Sequence, residues 1–250
     1  MTFDFMFFAM AIPAVIFAGI SKGGFGSGAA FAATPLLALV LEPAIAVGMM
    51  LPLLMLMDVG ALRPYWKKWD WGSARVLLIG SVPGILVGAV FFRFADPDLF
   101  RFLIGLVAVG FVAFQAARAR GLLAPATRPM SDRAGIIAGV AAGFTSFVSH
   151  AGGPPAAIYL LTKGLTKTSY QATTVILFWA INLFKFVPYL ALGIFSKNTF
   201  LADLYLAPFA IVGVYLGVWF HRLVPEKLFF ALTYTLLLAT GTKLIWDGLT

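Results

Sequence analysis

The sequence predicts an all-α, polytopic membrane protein made of two inverted repeats with broken half-helices, about eight spans counting half-helix pairs. Three observations lead there. Apolar residues make up 61% of the 250 and charged residues 11%, whereas a soluble domain carries about 25% charged residues. The apolar residues form long runs and not the alternation that strands need, and a run of roughly 20 crosses about 30 Å of hydrocarbon. The runs also fall into two sets of five, separated by a basic stretch containing Pro125 and Pro129.

In chain order, runs broken by Gly, Pro or charge are expected near 3–20, 24–41, 43–62, 72–94 and 98–117, then 133–149, 152–163, 168–192, 199–220 and 227–246. They form one membrane domain: a first repeat over about 3–117, a linker over 118–132 and a second repeat over about 133–246. The first run lacks a basic flank and leads into glycines with no small-residue cleavage site, so it is expected to stay as structure. Adding 124 to positions in the first set gives an ungapped pairing. Ala18 and Gly19 meet Ala142 and Gly143, Leu36 and Leu37 meet Leu160 and Leu161, and Pro64 and Tyr65 meet Pro188 and Tyr189. After a small insertion Gly84 and Gly88 match Gly213 and Gly217. The shared order of the rarer Pro, Tyr and Arg residues points to duplication.

Orientation follows from the cations. Arg63, Lys67, Lys68 and Arg75 share one loop and Arg118, Arg120, Arg128 and Arg133 another, so both loops are expected inside and both termini outside. Five runs per half then make the second half enter from the side opposite the first. The net charge of +8 sits at the ends of apolar runs, which fits membrane orientation better than nucleic-acid binding. With no Cys, the chain forms no disulfide, iron–sulfur cluster or thiol intermediate of its own. Two histidines are too few for a metal site of usual type. No HExxH, no Walker A loop and no strand before the glycines at 24–28 is present, so neither an enzyme nor a cofactor is expected.

Both halves open with an apolar run, a Gly-rich break and a short second run. The first break holds Ser21, Lys22, Gly23, Gly24, Gly26 and Ser27; the second holds Ser146, Ser149, His150, Gly152 and Gly153, followed by Pro154 and Pro155. A break exposes backbone polar groups that hydrocarbon penalises, so it must face protein or water. If each run is a half-helix, free N–H groups and positive dipole ends point to the bilayer middle, where an anion is favoured. The alternative is that such glycines only let helices pack closely. Lys22 is either an anion ligand or a snorkelling end residue. His150 either binds an anion or proton, or is a neutral ring satisfied by backbone. Asp58 and Asn182 are paired by the duplication, and each lies late in an apolar run. Lys185, one turn beyond Asn182, replaces Ala61 of the first half, and its alternatives are an anion ligand, a salt bridge or a snorkelling residue.

The stretches 19–28 and 143–155, the run Asn182, Leu183, Phe184, Lys185 and the two-half plan together resemble the TauE/SafE family of sulfite and organosulfur-anion exporters, over nearly the whole chain. The resemblance implies a bacterial inner-membrane exporter of sulfite or an organosulfonate, with about eight spans in duplicated halves. The expected site joins the two breaks near the midplane and adds Asn182 and Lys185 to their residues. The expected partners are a small anion and the bilayer, a homodimer being compatible with the sequence. Rival readings are a carrier or channel for a carboxylate or phosphate, a membrane enzyme acting on lipid headgroups, and a helper subunit without transport of its own.

Overall fold

The computed structural model describes residues 3–25, 29–122, 129–220, 223 and 225–250. Among the described residues ten α-helices run in chain order: α1 (Phe5–Ile20), α2 (Ala33–Ala38), α3 (Pro43–Leu62), α4 (Trp71–Phe94), α5 (Pro97–Ala119), α6 (Asp132–Ser149), α7 (Gly153–Leu160), α8 (Lys167–Ala191), α9 (Lys197–Phe220) and α10 (Glu226–Leu249). A π-helical turn, Ser21–Phe25, continues α1, and a 3-10 turn, Ala30–Ala32, leads into α2. Among the described residues seven helices are long and apolar enough to cross a membrane: α1 with its π turn, α3, α4, α5, α8, α9 and α10. The protein is therefore all-α and polytopic.

Local chemistry sets the helix ends. Asp4, Asp70, Asp96, Ser131 and Thr166 each accept a hydrogen bond from the backbone N–H three residues on, at the starts of α1, α4, α5, α6 and α8. Hydrogen bonds from Ser73 hold the Asp70 carboxyl below its ordinary pKa. Pro43 and Pro97 begin α3 and α5, where the missing N–H costs nothing.

Packing between helices relies on small residues. Gly80, Gly84 and Gly88 recur every fourth residue and turn one face of α4 to α6; a Cβ on Gly84 would lie 2.1 Å from the Val140 carbonyl oxygen. Reciprocally, a Cβ on Gly143 would lie 2.2 Å from the Ser81 carbonyl oxygen. The opposite face of α4 shows Val82, Leu86 and Val90, the last two with 58% and 60% of their surface exposed. Bulky apolar side chains outside and glycines inside is the arrangement expected when the surrounding solvent is lipid and association comes from close packing. The same contact recurs between α1 and α9, where Gly19 and Gly213 meet. Thus α1 of the first half packs on α9 of the second, α6 of the second packs on α4 of the first, and α3 pairs with α8 and α5 with α10.

The stretch from Ser21 differs from the expected break. The chain keeps winding to Phe25 as a π turn, because Gly23 and Gly24 let α9 approach: a Cβ on either would fall within 2.2 Å of a backbone oxygen of Val214 or Gly217. The second break forms where expected. His150 ends α6 in left-handed backbone at φ 58°, and its N–H returns to the Ser146 carbonyl. The chain then doubles back as α7, so that the Tyr159 hydroxyl donates to Asp132 over 3.2 Å and the Lys163 amine to the Met130 carbonyl over 2.8 Å. The start of α6 and the end of α7 thus lie at one end of the molecule. Arg63, Lys68, Arg118 and Lys167 gather at that end, which the Asp70 N–H to Thr173 and Gln115 to Tyr234 hydrogen bonds tie together.

Gly143→Val and Gly213→Val are each expected to cost about 1–3 kcal/mol through overpacking. Gly110, whose Cβ position meets nothing within 4 Å, should accept Ala with a change under about 1 kcal/mol. Tryptophan-fluorescence melts in detergent measure all three; a Gly143→Val protein as stable as its parent would mean that α4 and α6 do not approach this closely.

Candidate functional site

The most polar part of the interior is assembled by α3, α6, α8 and the π turn. Lys22, which the π turn directs inward, pairs with the Asp58 carboxylate of α3 and donates to the Leu54 carbonyl over 3.4 Å. The other Asp58 oxygen accepts from the Asn182 amide of α8 over 2.7 Å. One turn along α8, Lys185 Nζ donates to the Ser146 carbonyl over 2.9 Å and stands 2.7 Å from His150 Nδ1. His150 Nε2 lies 3.0 Å from the Val47 carbonyl. A carbonyl only accepts, so Nε2 carries the ring hydrogen and Nδ1 offers its lone pair to Lys185. Tyr189 closes the far side by donating to the Phe147 carbonyl over 2.6 Å.

Lys185 and Asp58 are fully buried, and Lys22 and Asn182 are each 3% exposed. Neither lysine snorkels. Isolated charges so placed would cost several kcal/mol each, which direct partners reduce. Two buried lysines thus accompany one carboxylate: Asp58 contacts Lys22, while Lys185 contacts the Ser146 carbonyl and His150. Lys22, Ser146, His150 and Asn182 line a cavity of about 10 Å³ beside this cluster, closed by Phe31 and Phe178; that is room for about one water.

Of the residues expected from sequence, the structure brings Lys22, Ser146, His150 and Asn182 to this cavity, with Lys185 behind His150. Ser149 Oγ turns back to the Thr145 carbonyl over 3.3 Å, and Ser21 is buried in the π turn. Gly23 has the packing role, and Gly152 packs on Ala142 and Phe178. Gly24, which also packs on α9, and Gly153 border a second, larger cavity. Gly26 and Ser27 lie outside the described residues. The N-terminal donors expected at the breaks are few: α2 has six residues, and α7 has Pro154 and Pro155, without N–H groups, in its first turn. Side chains, not helix ends, dominate the cluster. Asp58 belongs to it although the sequence marks it only as a polar residue late in an apolar run and as the repeat partner of Asn182, outside the expected site. Phe178 gave no sequence signal, being one of 25 phenylalanines.

Among the described residues no group of three or more metal-ligating side chains comes together. A model of the family described as Sulfite exporter TauE/SafE matches residues 11–244. No curated protein and no solved structure matches.

Asp58→Leu alone leaves Lys22 buried without its partner and is expected to cost about 3–5 kcal/mol. The double variant Lys22→Met with Asp58→Leu should recover most of that loss. A thermal double-mutant cycle in detergent reads the coupling; additive losses would show that the pair is not an energetic unit.

Proposed function

The chain belongs to the TauE/SafE family of sulfite exporters, and we propose that it exports a small sulfur-containing anion, sulfite or an organosulfonate, through the cavity between Lys22 and His150. The observation that carries this reading is the imbalance of the buried cluster, two lysines to one carboxylate. An anion in the adjoining cavity supplies the countercharge that a second buried ammonium needs. The residues around it are of the kind an oxyanion takes: Lys22, Ser146 and Asn182 line the cavity, with Lys185 behind His150. The family to which the chain belongs is one of exporters, which supports reading the protein as a carrier.

The transport cycle we infer uses two inverted repeats. Support comes from the exchange of partner helices between halves and from Asn182 and Asp58, which are 124 residues apart and bond directly. Contact between positions matched by the repeat offset is what a two-fold axis produces. The antiparallel α6–α7 pair is then a re-entrant hairpin from the basic end, and the π turn with α2 its counterpart from the other. By the distribution of Lys and Arg, the basic end faces the cytoplasm of a bacterial inner membrane and both termini face the periplasm. A cavity of about 10 Å³ is too small for sulfite. Loading requires the halves to rock apart, and an anion that draws Lys22 from Asp58 weakens the bond network that joins them.

Sulfite flux into liposomes, with acetate and phosphate as competitors, tests the reading. Lys22→Ala, Lys185→Ala and His150→Asn should each lower flux by at least about tenfold, the equivalent of losing one charge-assisted hydrogen bond. Asn tolerates the left-handed backbone at 150, so that variant removes the ring while keeping the turn. Folded protein with no flux of sulfite or organosulfonate would end the sulfur assignment, and flux indifferent to all three substitutions would move the site elsewhere.

A further inference from the structure

A second cavity, of about 440 Å³, opens at the basic end and shares one side chain, Phe178, with the small cavity at the lysine cluster. Its wall has two characters. Phe25, Phe111, Phe114, Phe178 and Phe230 make an aromatic side, while Arg118, Lys167, Tyr65 and Gln171 make a polar one. No carboxylate lines it among the described residues. The Gln171 side-chain nitrogen is buried and has no hydrogen-bond partner among the described residues. An unpartnered buried donor is costly, and such a group is satisfied when an acceptor arrives.

We propose that this cavity is a separate loading site for an organic anion with an apolar body, whose oxyanion head is held by Arg118, Lys167 and Gln171 while the body lies against the phenylalanines. The size argues for the class, since a bare inorganic oxyanion would leave most of a 440 Å³ cavity unfilled, whereas pockets of about 300–1,000 Å³ accommodate organic ligands. Charge argues for the sign, as cationic side chains without a lining carboxylate attract anions and raise their local concentration. One helix connects the two sites: Gln171, Thr174, Phe178, Asn182 and Lys185 follow one another at three- and four-residue spacing along one face of α8. From Gln171 to Asn182 is eleven residues, about 16 Å at 1.5 Å each. The ring of Phe178, 5% exposed, stands between the two cavities and separates loading from the buried cluster.

This assignment deepens the transport reading above and rests on it for the direction of loading, but binding can be read by itself. Calorimetry on the full chain in nanodiscs with benzenesulfonate should give saturable binding. Methanesulfonate, with the same head and little body, and benzenesulfonamide, with the body and no charge, should each bind at least about tenfold more weakly. Arg118→Gln and Gln171→Leu should each weaken benzenesulfonate about tenfold, as expected for a hydrogen bond to a charged group. Gln171→Glu, which keeps the shape but adds a carboxylate, should weaken it further; melts confirm that each variant is folded. Absence of saturable binding overturns the proposal. So does binding that survives Gln171→Leu and Arg118→Gln but is lost in Lys185→Met, which would move the ligand to the cluster. Sulfite flux without benzenesulfonate binding sinks the loading site alone. Benzenesulfonate binding with the expected variant losses, in a protein that carries no sulfur anion, leaves the loading site standing and removes the transport reading.

Discussion

A charge inside the hydrocarbon must find its partners within the protein, and much of this structure follows from how five side chains meet that demand. Lys22, Asp58 and Asn182 form one chain of contacts and Lys185 and His150 another, each spanning more than one helix. Satisfying them requires the π turn, α3, α6 and α8 to converge on one point. It also requires the backbone to contribute: the carbonyls of Leu54, Ser146 and Val47 accept from Lys22, Lys185 and His150. The Ser146 carbonyl takes the Lys185 amine in addition to the His150 N–H, and so joins helix capping to the charge cluster. A substitution that removes one partner therefore exposes the remaining one to a cost several times that of a surface ion pair.

Convergence on that point is possible because the helices that carry it are backed by glycine contacts. Lys22 immediately precedes Gly23 and Gly24, the residues that seat the π turn on α9. On the other side, Gly143 seats α6 on α4 seven residues before His150. Without side chains at these positions the backbones meet at distances that a Cβ would forbid, and dispersion over such close contact does in lipid what burial from water does in a soluble core. Rigid backing behind a polar cluster limits the ways in which the cluster can relax.

Much of this was legible in the amino-acid order, for identifiable reasons. Apolar runs ended by Asp, Pro or Gly place the boundaries of α3, α4 and α9 within about two residues, since a membrane helix has to be long and capped. Lys22, His150, Asn182 and Lys185 stood out because polar side chains are rare in such runs. The π turn was hidden because glycines signal a break and close packing alike, and only the presence of α9 decides between them. Pro154 and Pro155 were visible as helix starters, yet their missing N–H groups argue against the backbone cradle that the same stretch suggested. Phe178 and Gln171 carried no signal, because their significance lies in which cavities they border, a matter of three-dimensional assembly that periodicity does not encode.

Asp58 and Asn182, matched by the 124-residue offset in the sequence, bond to each other but differ in charge. Two carboxylates at these positions would repel across a low dielectric, and two amides would leave Lys22 without a countercharge. One of each gives Asp58 both a cation and a neutral donor. The second asymmetry, Lys185 where the first half has Ala61, then adds a cation that no resident carboxylate contacts directly. Both differences fall at one cluster, which therefore holds two buried lysines and one carboxylate, and that excess of positive over negative side chains is what the proposed anion site rests on.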